Sequence, residues 1–142
     1  MDSSRSKKLV DSSTRYAALA TSFLERLESI EAFLQEAEAP HAFDALLAVL
    51  RQTVIPNLRR FPRMGRRYLD QPPQSAEAIA QLGLLPTGTA DALRVLGSGD
   101  YLILYTEDQA SATVHLLSIR HHRQLSFDFV GLWPGQQGGA ER

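Results

Sequence analysis

The stretch Arg59-Arg60-Phe61-Pro62-Arg63-Met64-Gly65-Arg66-Arg67 divides the chain. Before it the sequence reads mostly as helix; after it, much reads as strand. Residues 51–67 carry six arginines and no acid. A guanidinium is always charged, and its planar fork matches phosphate or carboxylate. Such a cluster, in a turn punctuated by Pro62 and Gly65, is a candidate binding edge. The plain alternative is a solvated basic helix end, where cations offset the helix dipole.

Upstream, Phe23, Leu27, Ile30 and Leu34 recur at helical spacing and predict one apolar stripe. Ser22 and Glu25 fit a capping box at its start. Glu38-Ala39-Pro40 breaks this helix, and Pro40 suits the start of the next. Phe43, Leu46, Leu47, Leu50, Val54 and Leu58 then repeat, so the two helices should form an antiparallel hairpin. Pro56 is expected to kink or end the second helix, at about 3 kcal/mol if truly interior. Residues 15–21 are ambiguous, because their alanines favour helix. Residues 1–14 read as a flexible tail.

Downstream, residues 71–74 predict a loop, and Ser75 caps a short helix ending near Leu82. Gly83, Pro86 and Gly88 punctuate another loop. Residues 93–96 predict a strand, and 97–100 a hairpin turn. Residues 101–106 are strongly β and apolar on both faces, which predicts a central strand. Residues 107–109 read as a turn and 113–121 as a strand. Alternation along it points Leu117 and Ile119 one way and Ser118, Arg120 and His122 the other. That predicts an apolar face on the helices and a basic face outward. Residues 125–129 alternate as a further strand, and 134–142 read as a polar tail.

With 142 residues, 44% hydrophobic and 22% charged, the chain fits one globular domain over residues 15–133. The absence of cysteine excludes a disulfide framework, a thiol nucleophile and a thiolate metal site. No apolar run suggests a membrane span, and residues 1–8 lack the apolar core of a secretory signal. A soluble, cytoplasmic protein is the expectation. The net charge of −1 hides a segregation into alternating acidic and basic stretches.

Three constellations could carry function. Arg63, Arg66, Arg67, Arg120, His122 and Arg123 could form a phosphate-binding face. His121 and His122 beside Arg123 could supply acid, base and cation for metal-free ribonuclease chemistry. His115, His121 and His122 make a poor metal site, since neighbours on a strand face opposite ways. No metal or other cofactor is expected. A helical hairpin over a small sheet also offers a groove and an open edge to a protein partner.

Several local patterns occur in a telling order: Leu58-Arg59-Arg60-Phe61-Pro62-Arg63-Met64-Gly65-Arg66, then Gly99-Asp100-Tyr101-Leu102-Ile103-Leu104-Tyr105, then Ile119-Arg120-His121-His122-Arg123. This set resembles the RelE/ParE superfamily of toxins from bacterial type II toxin–antitoxin systems, over roughly residues 15–125. The resemblance implies an α+β fold: an N-terminal strand and a two-helix hairpin packed on a small antiparallel β-sheet. It makes residues 15–21 the first strand and residues 70–92 an insertion. It implies a cognate antitoxin protein that binds and neutralises the toxin as a hetero-oligomer. Two activities occur in the superfamily, inhibition of DNA gyrase by ParE-like members and cleavage of mRNA on the ribosome by RelE-like ones. The long hairpin and the Phe-Pro-x-x-Gly-Arg turn look ParE-like. The strand end keeps His121, His122 and Arg123 as catalytic candidates, with Arg63, Arg66, Arg67 and Arg120 as target- or phosphate-binding candidates. A nontoxic binding module is the remaining alternative.

Overall fold

The computed structural model describes residues 15–70, 76–85, 88–123 and 127. Strand β1 (Tyr16–Leu19) leads into helix α1 (Thr21–Glu36), then α2 (Pro40–Val49). A π-helical segment (Leu50–Val54) joins α2 to α3 (Ile55–Arg60). Strand β2 (Arg66–Arg67), a 3-10 turn (Tyr68–Asp70), α4 (Ala76–Gly83) and α5 (Thr89–Ala92) follow. Strands β3 (Arg94–Ser98), β4 (Tyr101–Asp108) and β5 (Thr113–His121) complete the described elements. The five strands lie in the order β1-β5-β4-β3-β2. The apolar run of β4 is central, as its composition predicted.

Strands β2 to β5 pair antiparallel, but β1 joins β5 in parallel, Tyr16 facing Thr113 and Leu19 facing Leu116. The antiparallel sheet implied by the resemblance thus runs from β2 to β5, with the N-terminal strand added in parallel at its edge. Tertiary pairing, not propensity, makes β1 a strand: Tyr16 N donates to Ala112 O (2.8 Å) and Ala20 N to Leu116 O (3.0 Å). Arg15 N also donates to Arg59 O at 2.8 Å, tying the strand to the end of the helical hairpin.

The apolar stripes behave as their spacing predicted. Phe23 and Leu27 of α1 pack with Phe43, Leu46, Leu50, Val54 and Leu58 against Ile103, Tyr105, Val114, Leu116 and Ile119. Two local expectations fail. No capping box forms, because Ser22 Oγ donates to Leu117 O at 2.6 Å and pins the helix to the sheet. Pro56 does not end the second helix either. The preceding turn widens, so that Ile55 N donates to Leu50 O, five residues back. Pro56 then falls in the first turn of α3, where a missing N–H costs little.

The strand β5 does not alternate cleanly. Leu104 faces Ser118 but Tyr105 faces Leu116, so Leu117 is an extra residue in a β-bulge. The bulge reverses which side chains face which way. Val114, Leu116 and Ile119 turn toward the helices, whereas Leu117 turns to the opposite face. That opposite face is not the exposed basic surface expected. Tyr68, Leu85, Leu93, Val95, Leu104, Leu117 and Phe127 bury it in a second core. The segment between β2 and β3 thus supplies a second layer: Tyr68 and Leu93 flank it, and Leu82 and Leu85 lie at the end of α4. Residues 107 and 108, expected in a turn, extend β4, with Glu107 opposite Val114. The hairpin between β3 and β4 turns on Gly99 (φ 58°), the position where a two-residue turn of the Gly-first kind needs a positive φ. The expected tails, the Ser75 cap, Pro86 and the alternating strand at 125–129, apart from Phe127, lie outside the described residues.

Leu58 is fully buried at the seam between hairpin and sheet, whereas Leu84 is 75% exposed. Leu58→Ala should lower the unfolding free energy by about 2–5 kcal/mol. Leu84→Ala should change it by less than about 0.5 kcal/mol. Urea titration of the two variants checks both values.

Candidate functional site

The basic turn is built around a close approach. Gly65 is buried, and its N–H donates to Tyr105 Oη at 2.9 Å. A Cβ there would lie 2.6 Å from Val95 O and 2.8 Å from Tyr105 Oη. Glycine is required for space, since backbone and ring leave no room for a methyl group. Arg94 closes the arrangement from β3: its Nη1 donates to Gly65 O (2.7 Å) and Arg63 O (3.3 Å). The turn motif, the Tyr-x-Ile-x-Tyr strand and the Leu-Arg-Val strand are therefore one contact set. Burial pushes the Tyr105 hydroxyl pKa up, opposed by the Gly65 hydrogen bond and the positive Arg94.

The arginines of this turn do not share one face. At the end near β1, Arg15 Nε donates to Glu107 Oε2 at 2.6 Å, and Arg63 Nε lies 3.6 Å from Glu107 Oε1. The Glu107 side chain is only 8% exposed. Arg15, Arg60, Phe61, Pro62, Arg63, Met64 and Glu107 surround an open pocket of about 620 Å³. Arg67 stands exposed on the edge strand β2. Arg66 lies with Tyr68 and Arg120 at the second core, where the Arg120 guanidinium packs 4.9 Å from the centre of the Phe127 ring. Burial lowers the Arg120 pKa, and Arg66 lowers it further, while the Tyr68 hydroxyl is raised by burial.

The histidines occupy another place again. The ring of His121 meets Tyr101 edge-on at 5.5 Å and borders a pocket of about 460 Å³ with Arg26, Ser29, Ile30, Phe33, Ile119 and Arg123. Arg123 N donates to His121 Nδ1 at 3.1 Å. His121 and His122 were expected on opposite faces, but their rings stack with centres 4.5 Å apart. The strand ends at His121, and His122 belongs to the following turn, where strand alternation no longer applies. His122 N donates to Asp100 O at 2.8 Å, and His122 Nε2 lies 3.8 Å from Asp100 Oδ1. His115 lies opposite Thr106 on β5, six positions before His121. Among the described residues no three His, Cys, Asp or Glu side chains converge as metal ligands.

The structure thus joins Arg66 with Arg120, and His121 with His122 and Arg123, but divides these groups between two faces of the sheet. Arg63 belongs to a third place, with Arg15 and Glu107. Sequence reading missed Arg15, Arg26, Tyr68, Arg94 and Glu107 as members of these sites. Arg94 alone carried a signal, a lone cation in an apolar strand.

A first strand, a helical hairpin and a sheet locked by the Phe-Pro-x-x-Gly-Arg turn define an α+β domain of RelE/ParE type. The sequence matches the family model described as "ParE toxin of type II toxin-antitoxin system, parDE" over residues 18–126, and the chain belongs to this family. Among solved structures it resembles the toxin–antitoxin complex RelBE2 of Mycobacterium tuberculosis, with 16% identity and a TM-score of 0.45. That match covers 76% of this chain and 91% of the other. No curated protein matches the sequence. Among the described residues no helix is long and apolar enough to cross a membrane.

The Gly65–Tyr105 bond gives a direct test. Tyr105→Phe leaves the buried Gly65 N–H without its acceptor and should cost about 1–3 kcal/mol. A tyrosine whose folded pKa is raised binds its proton more tightly in the native state. Its contribution is full below the ordinary value of 10.0 and is lost as pH rises through the folded pKa. Urea unfolding on either side of that value should show the wild type losing stability at alkaline pH, and Tyr105→Phe losing less.

Proposed function

We propose that this chain is a growth-arresting toxin, silenced by a cognate protein antitoxin, and that it acts by inhibiting DNA gyrase rather than by cutting RNA. The family match over residues 18–126 carries this reading. The disposition of the cations supports it. Metal-free RNA cleavage needs a base, an acid and cations converging on one phosphate. Arg66 and Arg120 sit by Tyr68 and Phe127, whereas His121 and Arg123 border a pocket on the helical side. The two sets lie on opposite faces of the sheet, which disfavours one phosphate shared between them. A toxin that acts by gripping a protein needs no such convergence.

A second reading, ribosome-dependent mRNA cleavage, is favoured by one observation. His121, Arg26, Arg123 and Tyr101 border the same pocket of about 460 Å³. There an imidazole could serve as acid or base beside two guanidinium groups.

One experiment separates the two. The purified chain is added to gyrase acting on relaxed plasmid, and in parallel to a translation reaction followed by primer extension. The expected result is loss of supercoiling with intact mRNA, and full toxicity of a His121→Ala/His122→Ala/Arg123→Ala variant. Cut mRNA with normal supercoiling would reverse the ranking.

A further inference from the structure

We propose that the turn 61–64 is the surface that grips the protein target, and that it takes an acidic segment presenting one apolar side chain beside a carboxylate. This inference rests on the reading of the chain as a toxin that acts by binding a protein. The turn holds two apolar side chains in solvent: Phe61 is 57% exposed and Met64 46%. Among the described residues neither packs into either core. The backbone beneath them is nevertheless tightly held. Phe61 N donates to Asn57 O (2.7 Å), Met64 N to Phe61 O (3.0 Å), and Arg94 grips Arg63 O and Gly65 O. A turn with a fixed backbone that presents an aromatic ring, a thioether and arginines has the make-up of a binding hot spot, because little backbone ordering remains to be lost.

Charge selects the occupant. Among the described residues Arg15, Arg60 and Arg63 border the open pocket against one carboxylate, that of Glu107. Glu107 is held at 2.6 Å by Arg15, while Arg63 stands 3.6 Å away with its side chain 63% exposed. An incoming carboxylate can therefore take Arg63 without leaving Glu107 buried and unpaired. The walls from Phe61, Pro62 and Met64 accept an apolar side chain next to that carboxylate. Nucleic acid fits less well. The Arg60 guanidinium lies 5.6 Å from the centre of the Phe61 ring, so a stacking base would have to displace it.

The test uses the full chain carrying Phe61→Ser/Met64→Ser or, separately, Arg60→Glu/Arg63→Glu, with Leu84→Ser as the exposed-site control. Circular dichroism and Tm establish that each variant is folded. If the charge reversal does not fold, the apolar pair carries the test. Both turn variants should weaken binding to purified gyrase by about tenfold or more and lose growth arrest, while the control keeps both. Folded turn variants that arrest growth like the wild type overturn the proposal. Gyrase binding by the wild type is read separately. If it is absent, the gyrase reading fails, and the turn is judged on growth arrest together with photocrosslinking from benzoylphenylalanine at position 61. A protein crosslink with lost arrest upholds the proposal; an RNA crosslink overturns it.

Discussion

The packing of Gly65 against Tyr105 is the constraint on which the rest of the molecule hangs. The chain must change there from a helical half to a sheet half within a few residues. It does so by pressing a bare backbone against the Val95 carbonyl and a buried phenol ring. Tyr105 lies in the core shared with both helices, and Arg94 reaches back from the neighbouring strand to the same turn. The backbone that carries the outward arginines and Phe61 is thus held in place by interior contacts. A loop with the same side chains and no such anchor would pay their ordering entropy on binding.

The sheet is a buried middle layer rather than a floor. One face carries the helical hairpin, the other the Tyr68–Leu85–Phe127 cluster. The bulge at Leu117 makes this possible. It lets β5 send Leu116 and Ile119 to the helices and Leu117 to the second core, with Ser118 buried between them. The same arrangement divides the cations of the strand end. Arg120 leans on Phe127, whereas His121 turns to Tyr101 and α1.

Much of this was legible from residue order. The helix stripes gave the hairpin, the two-sided apolar run gave the central strand, and the motif set gave the family. What failed did so for identifiable reasons. Period-two alternation cannot reveal a bulge, so Leu117 and Ile119 were assigned to one face. Capping rules see Ser22 and Glu25 but not the Leu117 carbonyl across the core. Proline rules price Pro56 against an ideal α-helix and not against a widened π turn. The site residues were harder still. Their roles depend on which face of the sheet each one reaches, and Glu107 gives no local sign that it will sit between two arginines.

The parallel pairing of β1 with β5 carries a temporal consequence. The first described strand waits for the last described one, since Tyr16 meets Thr113 only when nearly the whole described chain exists. Among the described residues nothing nearer in sequence pairs with β1 in the sheet. A nascent or truncated product can build its helical hairpin early, from local contacts, yet cannot close the sheet. Closure of the sheet at β1 is thereby coupled to the synthesis of β5, and a product cut short of Thr113 leaves that edge unmade.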